Sequence, residues 1–414
     1  MLTSFSTALS GLSAFSTAID VVGNNLANLN TPGFKQSAVS FHDLVTQSLG
    51  AGLGETQVGF GVGRPITLRQ FSQGAIQTSA GTLDAAIQGD GFFVVRAPNG
   101  SIQYTRGGNL QVDNDGNLTT ATGEKLQGWA SANGNVDTNA PVGDIVVPVG
   151  TLKAPTATKS ASVDVNLDAG ATAGPSATSF STSLQVYDSL GNSHTVTFSF
   201  TRSTTPNQWD YSFSFPDSDV TSPVTPATGS LTFDGNGHLI SPTVADPSPA
   251  LVISGLSSGA SDMTVDWSLF SGTTPRLTQY AQTSAVSALT QDGSPAASLT
   301  HVGLADGGKI LAQYSNGTQT IVGQVAMATI RNPESLIAVG NSNFQLSART
   351  ALPAIGLPGT GGRGSVIGGA VEGSTVDIAK EFTNLIVFQR GYQANARVIT
   401  AVDEVSQETI NLKR

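Results

Sequence analysis

Two glycine-rich segments have the spacing of nucleotide-binding loops, and both depart from the motif. Residues 303–309, GLADGGK, match a phosphate-binding loop up to its lysine, but Ile310 stands where a Ser or Thr must reach Mg²⁺. Residues 359–364, GTGGRG, match a dinucleotide-binding pattern, but no predicted strand precedes them and no helix follows directly. We therefore interpret the first segment as a turn and the second as a linker.

The carboxylates and imidazoles of the sequence also form no convincing site. Asp113, Asp115 and Asn117 have the spacing of calcium ligands, but Leu118 occupies the position that requires glycine, so a hairpin turn is favoured. No histidine has a partner nearby in sequence; they are His42, His194, His238 and His301. The chain has no cysteine, which excludes disulfides and thiol catalysis. We expect no enzymatic activity, no metal and no cofactor.

The composition is that of a folded protein rich in strands and turns. The 414 residues include 47 Gly and 19 Pro, only 12% are charged, and the net charge of −10 argues against binding to nucleic acid. No run of 18 apolar residues predicts a membrane span. The beginning of the chain lacks the basic leader and continuous apolar run of a secretory signal, so we expect that any export uses another route.

The beginning of the chain predicts a helix with an apolar stripe. The residues that repeat every three or four positions are Leu2, Phe5, Leu9, Leu12, Phe15, Ile19, Val22, Leu26 and Leu29. Asp20 is the only charged residue before Lys35, and such an uncharged face is suited to contact with more protein. Thr31, Pro32 and Gly33 then predict a type II turn that ends the helix.

Four asparagines, at positions 24, 25, 28 and 30, crowd the end of this helix. They have two interpretations, a fraying helix end or a polar seam at a subunit contact, and their spacing does not distinguish them. The helix also contains Gly11 and many Ser and Thr residues, which lower its intrinsic stability. We therefore expect the segment to be disordered alone and to become ordered on assembly.

The end of the chain predicts a second long helix, starting at a capping box formed by residues 374–377. Its periodic apolar residues are Ile378, Phe382, Leu385, Phe388, Tyr392, Ala396, Ile399, Val402 and Val405. Residues 385–388 are apolar at four consecutive positions, so one face cannot hide them. We expect the two terminal helices to pair as a coiled coil and to bury the remaining surface against neighbouring copies.

The middle of the chain predicts strands. No glutamate occurs between residues 125 and 333, whereas aspartate, which favours turns, recurs. The predicted fold is mainly β with helical termini. Its predicted parts are a terminal coiled-coil domain (1–30 with 374–414), a connector (31–70), an inner β domain (71–150 with 283–357), an inserted outer β sandwich or barrel (151–282) and a Gly-rich connector (358–373).

Three stretches together resemble the axial proteins of the bacterial flagellar rod and hook. They are residues 24–35 (NNLANLNTPGFK), residues 89–93 with 104–106 (GDGFF and YTR), and residues 381–395 (EFTNLIVFQRGYQAN) with Ile399 and Thr400. Rod proteins of the family are usually shorter, so the β insertion and residues 126–129 (LQGW) favour the hook branch. Residues 151–282 carry no motif that we can match.

The resemblance implies a structural subunit that self-assembles into a tube, with the terminal helices inside around an export channel. It implies export, without a cleavable signal peptide, through the flagellar type III apparatus, a location outside the cell in the hook and basal body, and contacts with rod, hook-cap and hook–filament junction proteins. We expect subunit contacts at Leu9, Leu12, Phe15, Ile19, Asn24, Asn25, Leu26, Asn28, Thr31, Pro32, Gly33, Phe34, Phe382, Leu385, Ile386, Phe388, Tyr392 and Ile399.

Hook proteins of the family transmit torque from rod to filament as a flexible joint. For this chain we expect the Gly-rich connectors at 50–63 and 357–373 to let the β domains shift relative to the helices. Two alternatives remain open at this point: a distal rod protein, which would build a stiff cylinder, and a secreted β-rich adhesin with a coiled-coil stalk.

Overall fold

The computed structural model describes residues 2–44, 46–49, 56–132, 134–174 and 176–411. The chain is mostly β with one long helix near each end, which confirms the predicted fold class. It divides into two units. The first unit comprises Met1–Val149, His301–Gln313 and Gln319–Arg414, and the second comprises Gly150–Thr300 and Tyr314–Thr318.

The elements follow one another in this order. The first part of the chain contains α1 Leu2–Ala27, β1 Ser37–Ser40, β2 Thr46–Leu49, β3 Thr56–Gly59, β4 Ile66–Arg69, β5 Ile76–Thr78, β6 Ala85–Gln88, β7 Phe92–Arg96, β8 Ile102–Thr105, β9 Leu110–Val112, β10 Leu118–Thr120, β11 Lys125–Ala132, β12 Asn135–Val136 and β13 Gly143–Asp144. The middle contains β14 Leu152–Lys153, β15 Ser160–Asn166, β16 Ser179–Tyr187, β17 Ser193–Arg202, β18 Gln208–Ser214, β19 Ala227–Phe233, β20 Leu239–Ser241, β21 Ala250–Ile253, β22 Met263–Trp267, β23 Phe270–Ser271, β24 Thr274–Pro275, β25 Leu277–Thr278, β26 Ala285–Gln291 and β27 Ala297–Ala305. The last part contains β28 Lys309–Tyr314, β29 Gln319–Val325, β30 Met327–Thr329, β31 Ile337–Gly340, β32 Asn343–Gln345, β33 Ala354–Gly356, β34 Ser365–Gly368, β35 Ala370–Glu372 and α2 Ile378–Asn411.

The first unit is built on an antiparallel sheet in which β7 is central. The hydrogen-bonded order is β28-β29-β11-β7-β8-β32-β31. Residues 92–95 of β7 are all buried, because this strand has neighbours on both sides and protein on both faces. Trp129 is buried, and its indole Nε1 donates a hydrogen bond to the Ala140 carbonyl at 2.9 Å.

The second unit is a β sandwich. One sheet is the antiparallel meander β16-β17-β18-β19-β20, and the other joins β21, β22, β15, β25 and β26. Inward-facing residues alternate with exposed ones along β17, which is the pattern of a strand with one face in a core. Phe198 stacks on Phe213 with ring centroids 4.4 Å apart, and Trp267 from the opposite sheet lies 5.2 Å from Phe198.

The boundary of the outer domain differs from the predicted one. The prediction ends the insertion at residue 282, whereas the second unit continues to Thr300. Strand β26 accounts for the difference, since it pairs with β15 from Ala161↔Gln291 to Asn166↔Ala285. This long-range pairing leaves no mark in the composition around residue 282.

The predicted connectors contain paired strands. In the first connector β1 pairs with β4, and in the second β34 pairs with β6 and β35 with β5. These pairings hold residues 365–372 against the β domain, so this part of the second connector is not the loop that its glycine content predicts. Residues 50–55 of the first Gly-rich stretch lie outside the described residues.

Helix α2 starts later than the predicted capping box. Asp377 accepts hydrogen bonds on Oδ1 from the backbone N–H groups of Ala379 (2.9 Å) and Lys380 (3.2 Å), so it caps a helix that begins at Ile378. Ser374 accepts a bond from the Val376 N–H outside the helix. The correct cap is therefore the aspartate that the prediction placed inside the first turn.

Candidate assembly site

The two terminal helices pack antiparallel through small residues of α1. Ala8, Gly11, Ala14, Ala18 and Val22 are buried at steps of three or four. Within this stripe, a Cβ atom at Gly11 would lie 2.6 Å from Oδ1 of Asn395. The helices therefore approach one another at a distance that larger side chains on this stripe would prevent.

Three phenylalanines pack against one another on one side of the helix pair. The ring centroid of Phe15 lies 5.4 Å from that of Phe41 and 6.3 Å from that of Phe388, and Phe41 and Phe388 are 6.0 Å apart. Gly391 makes room for the Phe15 ring, because a Cβ atom there would lie 2.6 Å from two ring atoms. Phe41 thus attaches the segment after α1 to both helices.

Several of the larger apolar side chains of the helices are left exposed within one chain. Leu9 on α1 is 49% exposed and Ile386 on α2 is 58% exposed, and Phe5, Phe382 and Val387 are exposed as well. Exposed apolar area costs about 25 cal/mol per Å² relative to burial. An apolar surface along a helix pair is typical of a site that other protein covers.

The predicted contact residues fall into three groups in the structure. The exposed ones are Leu9, Asn24, Phe382, Ile386 and Tyr392. The half-buried ones are Leu12, Phe15, Ile19, Leu26, Asn28, Thr31, Pro32, Phe34, Leu385, Phe388 and Ile399. The buried ones are Asn25 and Gly33, whose internal contacts leave no surface for a neighbouring copy.

Asn25 connects α1, the strand that follows it and α2. Its Nδ2 donates to the Ser37 carbonyl at 2.8 Å and to Oε2 of Glu381 at 3.2 Å, and its Oδ1 accepts from the Ser37 N–H at 3.0 Å. The expected subunit contact at Asn25 is therefore corrected to a contact within the chain. Asn28, in contrast, donates from Nδ2 to the Asn24 carbonyl and so closes the helix end.

The backbone conformation at position 33 requires a glycine. Its φ of +69° suits the third position of the predicted turn, and the Phe34 N–H donates to the Thr31 carbonyl at 3.2 Å. A Cβ atom at Gly33 would also lie 2.5 Å from the Gly107 nitrogen. The glycine therefore permits both the turn and the close approach of two backbones.

A buried ionic cluster fixes the segment after α1 to the segment before α2. The Nζ atom of Lys35 donates to Oε1 of Glu372 and to the Ser72 carbonyl, both at 2.6 Å. The Gly74 N–H donates to the same carboxylate at 2.7 Å, and Nη1 of Arg106 donates to Oε2 at 3.2 Å. Burial lowers the pKa of Lys35, although the Glu372 carboxylate opposes that shift.

Sequence reasoning did not predict this cluster or the small-residue stripe. Ala8, Gly11, Ala14 and Ala18 do repeat at helical spacing, so a signal existed, but the larger apolar residues beside them produced a stronger one. Lys35 and Glu372 are 337 positions apart, and no local pattern joins them.

One imidazole has partners that the sequence did not predict. In the second unit, Nδ1 of His194 lies 2.8 Å from Oδ2 of Asp219, and Nε2 lies 3.3 Å from Oδ2 of Asp188. The Ser258 hydroxyl donates to Asp188 rather than to the imidazole, at 2.8 Å. The expectation that His194 lacks a close partner is wrong, because the β16–β17 turn brings Asp188 back to His194 and a second segment places Asp219 there. Since the hydroxyl bonds the carboxylate, the arrangement is not that of a serine nucleophile with its base.

The motifs that suggested nucleotide or calcium binding are turns. Gly307 and Gly308 have φ values of 75° and 72°, and Lys309 begins a strand rather than a helix. Asp113 accepts backbone N–H bonds from Asp115 and Asn117, which closes the β9–β10 hairpin.

Helix α1 is long and apolar enough, by length and composition alone, to cross a membrane between Ser4 and Ala27. Helices inside folded proteins and N-terminal signals have the same length and composition. In the structure the helix packs on α2 through its small residues.

Known protein families match both ends of the chain and its β domains. Family profiles match as follows: Flagella basal body rod protein at 5–35, Flagellar hook protein FlgE/F/G D1 domain at 86–168, Flagellar basal body protein FlaE D2 domain at 166–294, and Flagellar basal body rod FlgEFG protein C-terminal at 367–412. The chain is 32% identical to the flagellar hook protein FlgE of Salmonella typhimurium, over 99% of this chain and all of that one. The chain belongs to the flagellar hook protein family.

Further hook proteins agree over their full length. Flagellar hook protein FlgE of Treponema pallidum is 31% identical over 100% of both chains. A crystal structure of Helicobacter pylori flagellar hook protein FlgE2 superposes with a TM-score of 0.52 at 13% identity, covering 70% of this chain and 99% of that one, which supports the fold. This member of the hook family is a structural subunit of the bacterial flagellar hook, and the rod and adhesin alternatives are not favoured.

Proposed function

We propose that the chain polymerises into the tubular, flexible joint that passes torque from the flagellar rod to the filament. The observation that carries this proposal is the apolar surface that α1 and α2 leave exposed in one chain. Neighbouring copies cover that surface in the polymer, so the helices form the inner layer and the β units stack outside.

Flexibility of the joint then arises between copies rather than within the first unit. The Asn25 contacts and the cluster of Lys35, Glu372 and Arg106 hold the helix ends to the β domain. The chain has few charged residues, so outer surfaces can slide across one another through water-mediated contacts without breaking strong ion pairs. This replaces the expectation that the connector at 357–373 is the hinge.

The remaining expectations form part of the same proposal. The chain leaves the cell through the flagellar type III apparatus without a cleavable signal peptide and functions outside it. Its partners are further copies of itself and the rod, hook-cap and hook–filament junction proteins. It acts as a structural component without enzymatic activity, nucleic-acid binding or insertion into a membrane.

Electron microscopy of basal bodies tests this function. A strain that lacks the gene should have basal bodies that end at the rod, and the intact gene should restore a curved sleeve. Ile386→Lys, which places a charge on the exposed helix surface, should not restore it. Ile102→Lys, a matched change at an exposed isoleucine of β8, should restore it. Normal sleeves with Ile386→Lys would contradict the proposed inner layer.

A further inference from the structure

An open cleft lies in the first unit where α1 ends. Its volume is about 530 Å³. We call it the terminal cleft and define it by Asn28, Thr31, Phe34, Arg69, Asn343 and Phe344, which are among its lining residues. Four of the expected contact residues, Asn28, Thr31, Pro32 and Phe34, therefore line one concave surface, together with residues of the β domain.

Arg69 gives the terminal cleft a chemical preference. The guanidinium carbon lies 5.2 Å from the centre of the Phe344 ring, and burial lowers the pKa of this side chain. Its Nε atom is buried and has no hydrogen-bond partner among the described residues. A guanidinium group that is partly desolvated over an aromatic ring favours a carboxylate as its partner.

A hairpin turn forms part of the rim of the terminal cleft. Asn341 and Ser342 both line the cleft and have φ values of +53° and +57°. Positive φ at both central residues is the pattern of a type I′ turn, and here that turn joins β31 to β32. The Thr105 hydroxyl donates to the Ser342 carbonyl at 3.1 Å, and Asn343 Nδ2 donates to the buried Glu124 at 2.9 Å, so the turn is held in place.

The opposite end of the helix pair carries a complementary surface. Gly11 lies against Asn395, and Asn25 lies against Glu381. Because the two helices run antiparallel in this register, the start of α1 lies near Glu404. Helix α2 continues to Asn411, about two turns or ~10 Å beyond that point. We call residues 404–411 the C-terminal overhang.

The side of the C-terminal overhang that faces away from α1 carries two glutamates. At 100° per residue, Glu404, Val405 and Glu408 lie away from the side of α2 that faces α1. Ile410 lies on the side that faces α1. Val405 is 52% exposed and Ile410 is 69% exposed. No ion pair among the described residues includes Glu404 or Glu408.

We propose that the C-terminal overhang of one copy docks in the terminal cleft of the next, with Glu404 and Glu408 meeting Arg69. This inference rests on the proposed polymerisation and adds the pair of surfaces that joins consecutive copies. The two surfaces differ and lie at opposite ends of the helix pair, so their contact is head-to-tail. A heterologous contact that does not close into a ring extends into an open filament.

Charge exchange tests the contact in the full-length chain. Arg69→Glu, and separately Glu404→Arg with Glu408→Arg, should each slow polymerisation about tenfold or more, measured by light scattering and electron microscopy. Combining the three changes should restore tubes. Arg64→Glu, a matched reversal at an exposed arginine just before β4, should polymerise like the wild type. Wild-type polymerisation by Arg69→Glu would overturn the proposal.

Cross-linking provides a second test that does not depend on altering a charged group. The chain has no cysteine, so Ala121→Cys, at the terminal cleft, and Thr409→Cys, on the overhang, can be introduced cleanly. Oxidised polymers of the double variant should give a ladder of disulfide-linked oligomers, and each single variant should give monomers. Tubes of the double variant without a ladder would overturn the inference and leave the proposed function intact. Failure of the wild-type chain to form tubes would instead count against the proposed function.

Discussion

The Nζ atom of Lys35 lies 2.6 Å from Oε1 of Glu372, and both side chains are completely buried. Lys35 follows α1 by a few residues and Glu372 precedes α2 by a few residues. One carboxylate thus connects the segment that leaves the first helix with the segment that leads to the second. Because Arg106 of the β domain also donates to Glu372, the same group fixes both segments to the sheet.

Removal of the Glu372 charge should destabilise the first unit strongly. Glu372→Gln leaves the ammonium of Lys35 and the guanidinium of Arg106 buried without a counter-charge, at a cost of about 3–5 kcal/mol. Lys35→Met should cost less, because Arg106 still neutralises Glu372. The free energy of unfolding from urea titration measures both losses. Glu334→Gln, at an exposed glutamate, is the matched control. Equal stabilities of Glu372→Gln and this control would contradict the assigned role.

Two glycines in the helices should respond in opposite directions to the same substitution. Nothing lies within 4 Å of a Cβ atom at Gly23, so Gly23→Ala should stabilise the helix by about 0.5–1 kcal/mol. Gly391→Ala places its methyl group against the Phe15 ring and should destabilise the packing by about 1–3 kcal/mol. The temperature at which the polymer dissociates should therefore rise for Gly23→Ala and fall for Gly391→Ala. A rise for both would show that the helices do not pack this closely.

The second unit should lose stability in acid through Asp188. Burial raises the pKa of Asp188, but hydrogen bonds from Asn192, Ser258 and His194 outweigh it and hold the pKa far below its usual range. A carboxylate whose pKa is lower in the folded than in the unfolded protein stabilises the fold at pH values above its unfolded pKa of about 4. This stabilisation is lost as the pH falls from there through the pKa of the folded state. Thermal unfolding of the wild type should therefore show a midpoint that decreases below about pH 4.

Asp188→Asn should flatten this decrease and lower stability at neutral pH by about 1–3 kcal/mol. Asp210→Asn, at an exposed position of β18, should leave the acid dependence as in the wild type. An unchanged acid dependence in Asp188→Asn would mean that other carboxylates govern it.

The second unit should be removable without loss of polymerisation. Lys153 pairs with Ala297 across the antiparallel strands β14 and β27, so an Asn-Gly turn can replace residues 154–296. The shortened chain keeps the helix pair and should form tubes, because the proposed contacts lie in the first unit. A strain that carries it should swim poorly, since the outer surfaces that slide in the joint are gone. Normal swimming would favour a rod-like role for the polymer, and absence of tubes would place essential contacts in the second unit.

Much of the fold could be predicted because it follows from patterns among residues that are close in sequence. The absence of glutamate between residues 125 and 333, together with the recurrence of aspartate, indicated a β middle, and the structure has strands throughout this part of the chain. Pro32 and Gly33 indicated their turn because only a few residue types suit its backbone angles. These features depend on neighbours in sequence, which a single sequence displays.

The remaining features depend on residues far apart in sequence. Spacing placed an apolar stripe on α1, but it could not show whether the large residues or the adjacent alanines face α2, because both repeat at helical intervals. The partners of Lys35 and His194 come from loops and strands that meet only in the fold. Glycine content suggested a free connector at 358–373, but β34 and β35 pair there with strands from the first part of the chain.

Hydrogen exchange of α1 and α2 in the isolated chain and in the polymer tests the central claim most directly. The account predicts rapid exchange of backbone amides in both helices of the monomer, because their exposed apolar faces lack partners, and strong protection in assembled tubes. The β sandwich of the second unit, which has its own core, should be protected in both states. Protection of both helices in a monomer that does not polymerise would contradict the account.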